Sequence, residues 1–142
     1  MLDVFGFPTP QGANYQEFYG GGTVRDWVKP RGASMVRMLL IGAGAGGTSG
    51  STVGGGGGGA SGAVTQWIGP AMFIPDVLRV FIGAGGKTSG GAGGNTTVVY
   101  QATDGTGYTL LTASGAVGAG GNVGPASSNN YFGAAGIFKS IA

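Results

Sequence analysis

Five carboxylates are the only side chains in this sequence suited to proton transfer near neutral pH, and they are scattered. Asp3, Glu17, Asp26, Asp76 and Asp104 stand singly, and the 142 residues include no histidine and no cysteine. A serine nucleophile therefore lacks its usual base, and a cysteine nucleophile or thiolate metal site cannot be built. A carboxylate pair for glycoside hydrolysis would have to be assembled by folding alone, because nothing in the spacing prepares one. Asp104, followed by Gly105, reads as a turn residue. No EF-hand run of oxygen ligands is present. The expectation is a protein that is not an enzyme and holds no cofactor and no metal.

Two glycine motifs invite a nucleotide reading. Gly42-Ala43-Gly44-Ala45-Gly46-Gly47 fits G-x-G-x-x-G directly after an apolar strand. That fingerprint works only if a helix begins there and aims its N-terminus at a pyrophosphate. The chain instead continues through Thr48 to Val53 into six glycines, Gly54 to Gly59, which cannot sustain a helix. The acidic residue expected about 20 positions on is also missing. Gly85-Gly86-Lys87-Thr88 imitates the end of a phosphate-binding loop, but Phe81 stands where its first glycine belongs and loop residues continue after it. Lys87 reads as a solvated charge.

The elements that would position any site are strands. Thr23–Val28, Val36–Ile41, Ala63–Ile68, Val77–Ile82, Thr96–Tyr100 and Tyr108–Thr112 each read as a short strand, with Asp104-Gly105 turning the last two into a hairpin. Val36–Ile41 and Val77–Ile82 are nearly continuous in apolar residues, which predicts burial on both faces. No stretch shows the capped 3.6-residue apolar period of a helix. Trp27 and Trp67, both in strands, are expected in the core.

Glycine supplies 35 residues, far above the usual level of about 7%. The tetrapeptide Gly-Ala-Gly-Gly begins at Gly44, Gly83, Gly91 and Gly118; apolar strands precede the tracts beginning near Gly42 and Gly83, and a hairpin strand precedes the one near Gly115. The plan is thus strand, then glycine excursion, repeated, with the excursions leaving one end of a small sandwich. The glycines lack the strict every-third spacing of collagen. With 42% apolar residues and only 8% charged, the chain does not have the composition of a disordered one. Neighbouring glycine tracts in extended polyproline-II geometry could bond to one another, since no side chains hold them apart. They would then form a scaffold that displays whatever turns at its tips. The candidate tip residues are Thr48, Ser49, Ser51, Thr52, Lys87, Thr88, Ser89, Asn129, Asn130 and Tyr131.

Residues 1–22 form an aromatic, proline-punctuated arm, and 23–142 the glycine-rich β domain. Phe5, Phe7, Tyr15, Phe18 and Tyr19 make the arm a candidate docking segment. The formal charge of +2 comes from few charges without a basic cluster, so nucleic acid is not an expected partner. No secretory signal or 18-residue apolar run is seen, so no membrane insertion is expected. So low a charge suggests a surface largely covered by other chains.

Several of these segments carry a family resemblance. Trp27-Val28-Lys29-Pro30, Val36–Ile41 running into Gly42–Gly47, Gly54–Gly62 with Ala63-Val64-Thr65, Val80–Gly86, and Gly93-Gly94-Asn95-Thr96-Thr97 succeed one another in order. This resembles the glycine-rich domain of bacteriophage tail fibre and other virion proteins over about residues 23 to 124. Pro70 to Pro75 departs from the Pro-Gly that often precedes the second strand in that family. The resemblance implies a structural protein at the virion surface, a fibre, spike or tail-tip component for host attachment that contacts a host glycan or protein. A capsid decoration protein strapped on by its arm is the alternative, and a bacterial surface adhesin or matrix protein the alternative of another class. The expected fold is all-β, a small sandwich or jelly-roll-like domain with long, polyglycine-II-like loops and almost no helix. The expected partners are further copies, as a homotrimer or other symmetric oligomer, and other virion proteins.

Overall fold

A computed structural model describes residues 14–52 and 54–118, together with the backbone of residues 139–141. Its strands are β1 (Val24–Val28), β2 (Met35–Ile41), β3 (Val64–Pro70), β4 (Val77–Phe81), β5 (Thr96–Gln101), β6 (Gly107–Ala113) and β7 (Lys139–Ile141). A single 3-10 turn, Ala71–Phe73, is the only helical element among the described residues. The fold is all-β, as expected.

Every pairing is antiparallel. One sheet runs β1-β4-β5-β6 and the other β2-β3-β7. Their inner faces alternate inward residues into a shared core of Leu40, Trp67, Ile74, Leu78, Val98, Leu110, Leu111 and Ala113. Trp27, Val36, Met38, Val80 and Tyr100 pack against it. Both tryptophans thus lie in or against the core. Gly69 is buried beside Trp67, and a Cβ there would meet the indole ring under 3.0 Å away, so this position in β3 leaves room for the ring.

The hairpin turns at Asp104-Gly105, where Ala102 bonds Thr106, Gly105 takes a φ of 86°, and Asp104 accepts the Thr106 N–H at 2.8 Å. That bond holds the Asp104 carboxyl below its ordinary pKa. Lys29 secures the same end of the sandwich. Its Nζ donates to the Ile74 and Ala71 carbonyls at 2.8 and 3.3 Å and meets Asp76 at 2.7 Å.

Two expectations need correction. β2 and β4 are not buried on both faces: Met35, Leu39 and Ile41 on β2, and Val77 and Phe81 on β4, point outward and are exposed. The sheets are antiparallel, and no described element covers their outer faces, so each strand buries one side only. An unbroken apolar run does not report that difference. β7 was not anticipated from the sequence. Its three residues show no alternation long enough to read, yet they extend the second sheet.

The register sends the glycine tracts out of one end of the sandwich, as the sequence implied. Ile41 pairs with Val64, Phe81 with Thr97 and Thr96 with Ala113, so β2, β4 and β6 end, and β3 and β5 begin, at the same pole.

Candidate functional site

At that pole five glycine tracts of the described residues bundle, and the hydrogen bonds of the first reveal the rule. Residues 42, 45, 48 and 51 donate their N–H groups to the carbonyls of residues 63, 60, 57 and 54 in the returning tract. Residues 43 and 46 donate to 94 and 91 in a second neighbour. The carbonyls of 44 and 47 accept from 86 and 89 in a third. Each set advances by three residues. A backbone that turns to a new neighbour at every residue and returns after three has the period of a polyproline-II helix, not the period of two of a strand. The fifth tract closes the group through Gly93 N–H to the Ala116 carbonyl and Ala116 N–H to the Ala43 carbonyl, both 2.9 Å.

The glycines keep the same period. In the returning tract, a Cβ on Gly56, Gly59 or Gly62 would fall under 3.0 Å from the carbonyls of Thr48, Ala45 or Gly42, whereas Gly55 and Gly58 have nothing within 4 Å among the described residues. Gly42, Gly46, Gly83, Gly86, Gly93 and Gly115 are equally pressed against neighbouring backbone. None of these glycines has a left-handed φ, so they are required for close approach and not for a turn.

Such a bundle does not stand on its own. Each amide bond nets about 0.5–1.5 kcal/mol, while ordering each residue costs about 1–2 kcal/mol, and glycine has the most to lose. The β core therefore has to hold the roots, and three polar side chains do so. Buried Thr96 donates Oγ1 to the Ile41 carbonyl at 2.7 Å and accepts the Gly83 N–H at 3.1 Å, tying the exits of β2 and β4 together. Asn95 Oδ1 accepts the Gly115 N–H at 2.9 Å. Thr65 Oγ1 donates to the Thr112 carbonyl at 2.7 Å, joining the two sheets beside the roots of the bundle. Sequence reasoning picked out no role for these residues. The available signal was a polar pair, Asn95-Thr96, at a glycine-to-strand junction.

The expected tip residues fall into two groups. Ser51 and Gly54 exchange backbone bonds at 2.8 and 3.3 Å and close the outermost turn, with Ser49, Ser51 and Thr52 exposed. Thr48 is exposed too, but its Oγ1 accepts the Gly57 N–H at 2.8 Å, making it a rung of the bundle. Lys87, Thr88 and Ser89 form the second turn, where Ser89 and Gly90 adopt φ of 71° and 75° and both donate to the Gly47 carbonyl. From Gly47 to Ser51 the first tract runs on about 12 Å at 3.1 Å per residue, so the two turns stand on the same end at different heights. Lys87 is the only charge in either turn.

Of the candidate arm, Tyr15 and Tyr19 are 80% and 73% exposed and Phe18 is half-buried. Tyr15 donates its hydroxyl to Glu17, which raises the phenol's pKa. Gly22 N–H bonds the Ile82 carbonyl, so the arm joins the domain beside the glycine roots. Phe5, Phe7, Asn129, Asn130 and Tyr131 lie outside the described residues.

No acid–base constellation forms among the described residues. At the other pole an open groove of about 560 Å³ includes Asp26, Asp76, Arg79 and Tyr100 in its lining. Asp26 is engaged by Arg79 at 3.2 Å and Asp76 by Lys29 at 2.7 Å, so each carboxylate already faces a cation. No group of three potential metal ligands occurs among the described residues, and none of their helices is long and apolar enough to cross a membrane.

Comparison with known proteins agrees with the geometry at the level of family. The family described as glycine-rich domain matches residues 14–138, from the exposed aromatic segment to the residue before β7. No curated protein and no solved structure matches the chain. The chain belongs to the glycine-rich domain family.

Proposed function

We propose that this protein is a non-enzymatic structural component of a bacteriophage particle, exposed at the virion surface and serving host attachment as part of a fibre, spike or tail tip. The observation that carries the reading is the bundle itself: five tracts locked backbone to backbone, projecting two polar turns from one pole of a β sandwich. A scaffold of this kind has almost no side chains of its own to change. Its turns at Ser51–Gly54 and Lys87–Gly90 can vary without disturbing the core, which suits a surface that must track a changing receptor. The partner is a glycan or protein on the host cell, and self-association as a symmetric oligomer supplies many weak contacts at once.

The test is competition. Purified protein added before the particle that carries it lowers adsorption to host cells, and the Thr52→Asp/Lys87→Glu variant loses about tenfold or more of this effect, equivalent to about 1.4 kcal/mol. Its unfolding midpoint stays at the wild-type value because both side chains are exposed. Unchanged competition by the variant overturns the assignment to these turns.

A second reading, capsid decoration, draws on exposed Tyr15 and Tyr19 outside the core. It predicts stoichiometric retention on heads that lack tails, abolished by deleting residues 1–20, with no competition for cells.

A further inference from the structure

Strands β4 and β5 part before they end. Their pairing runs from Phe81 and Thr97 to Arg79 and Val99 and stops there, although the same register would next set Val77 opposite Gln101. A bulge stands at that point, where β5 shifts register against β6 between Val98 and Val99. Bulges bend a strand pair and sharpen its twist, and this one carries the end of β5 away from β4. The groove of about 560 Å³ opens in the gap. In an antiparallel strand, alternate residues direct N–H and C=O to the same neighbour. Lys29 N–H bonds the Asp76 carbonyl and Ile82 N–H the Thr23 carbonyl, which leaves Val77, Arg79 and Phe81 facing β5. Ala102 N–H bonds the Thr106 carbonyl, which leaves Thr97, Val99 and Gln101 facing β4. Val77 and Gln101 therefore turn their N–H and C=O groups into the groove with no backbone partner among the described residues.

We propose that this groove binds a neutral carbohydrate. Its charges cancel, since Arg79 meets Asp26 at 3.2 Å and Lys29 meets Asp76 at 2.7 Å, so it selects neither a bare cation nor an anion. Both carboxylates are exposed and keep acceptor capacity, and Arg79 engages Asp26 through Nε, leaving its other guanidinium N–H groups as donors. The exposed Gln101 amide adds one more donor and acceptor. A sugar hydroxyl donates and accepts at once, so adjacent hydroxyls bridge these groups and the four main-chain groups of Val77 and Gln101. Pro75 and Tyr100 give the apolar surface for the C–H face of the ring, and Tyr100 is held by stacking on Tyr108 with centroids 6.5 Å apart. A peptide matches less well, because a strand ladder needs several residues in register and each wall offers one. The volume lies within the range of about 300–1,000 Å³ usual for small-molecule sites. The groove is at the pole away from the glycine turns. It stands apart from the attachment reading, so either can fail alone.

The experiment is an amide NMR titration of the full, nitrogen-labelled chain. The probes are the methyl glycosides of glucose, galactose, mannose and N-acetylglucosamine, with inorganic phosphate and calcium chloride as the charged alternatives. One or more glycosides shift the Val77 and Gln101 amides saturably, with a Kd of about 1–10 mM as expected for so small a ligand. Phosphate and calcium leave both amides in place. Gln101→Ala weakens the binding about 2- to 10-fold, the loss of a neutral hydrogen bond, and Asp26→Ala about tenfold or more, the loss of a charged acceptor. Both side chains are exposed, and amide positions outside the groove control for the fold of each variant. Val77 and Gln101 amides that stay in place with all four glycosides overturn the proposal. So do shifts with phosphate or calcium alone, shifts confined to Ser51–Gly54 and Lys87–Gly90, or an affinity unchanged in both variants.

Discussion

Gly59→Ala disrupts the glycine bundle, and Gly58→Ala, one residue earlier in the same run of six glycines, does not. A methyl group on Gly59 would sit under 3.0 Å from the Ala45 carbonyl oxygen. That group is backbone, fixed by the Ala45 N–H bond to the Ala60 carbonyl at 2.9 Å, so no side chain can rotate out of the way. The tracts must separate, and the rungs on either side are lost with them. We expect a loss of about 3 kcal/mol or more, at the upper end of overpacking effects. Among the described residues nothing lies within 4 Å of a Cβ on Gly58, and Gly58 has no left-handed φ. Alanine there restricts the unfolded chain more than the folded one, a gain of about 0.4–1 kcal/mol. Gly56→Ala behaves as Gly59→Ala does, and Gly55→Ala as Gly58→Ala does. Urea unfolding of the four variants checks this, and a mobile linker would treat them alike.

Thr96→Val is expected to cost about 1–3 kcal/mol, the penalty for leaving hydrogen-bonding groups without their partner at a buried site. Valine keeps the shape and the β propensity of threonine. What it removes is a hydroxyl that at once donates to the Ile41 carbonyl and accepts the Gly83 N–H, where two tracts leave the sandwich. Thr96→Ser retains the hydroxyl and recovers most of the loss. Thermal unfolding of the pair separates the clamp from mere packing: equal losses in both variants would mean that the methyl group, not the hydroxyl, is what matters.

Much of the architecture was legible in the chain. Strand positions were marked by short apolar runs ended by glycine, and Asp104-Gly105 marked its hairpin by turn chemistry alone. The common exit of the tracts could be read from strands that each run into glycine. What could not be read was which side of a strand is covered. Met35, Leu39 and Ile41 look like core residues in an unbroken apolar run, and only the absence of a covering layer among the described residues makes them surface. The three-residue rule of the bundle was hidden for another reason. Gly54 to Gly59 is a homopolymer, so positions that require glycine, such as Gly56 and Gly59, look the same as Gly55 and Gly58, which do not. Pairing between tracts as distant as residues 43 and 94 decides the matter, and no local pattern reports it. Thr48 shows the same limit. It reads as a tip residue, while its hydroxyl serves as a rung against Gly57.

The central claim is that the glycine tracts are a hydrogen-bonded structure with a period of three, and amide hydrogen exchange measured residue by residue addresses it directly. Slow exchange is predicted at Ala43, Ala45, Gly46, Thr48, Gly93 and Ala116, whose N–H groups bond across the bundle, and fast exchange at Gly55 and Gly58, whose N–H groups make no backbone bond among the described residues. Uniformly fast exchange from Gly42 to Gly62, with protection confined to β2 to β6, would contradict it and return these tracts to the status of linkers.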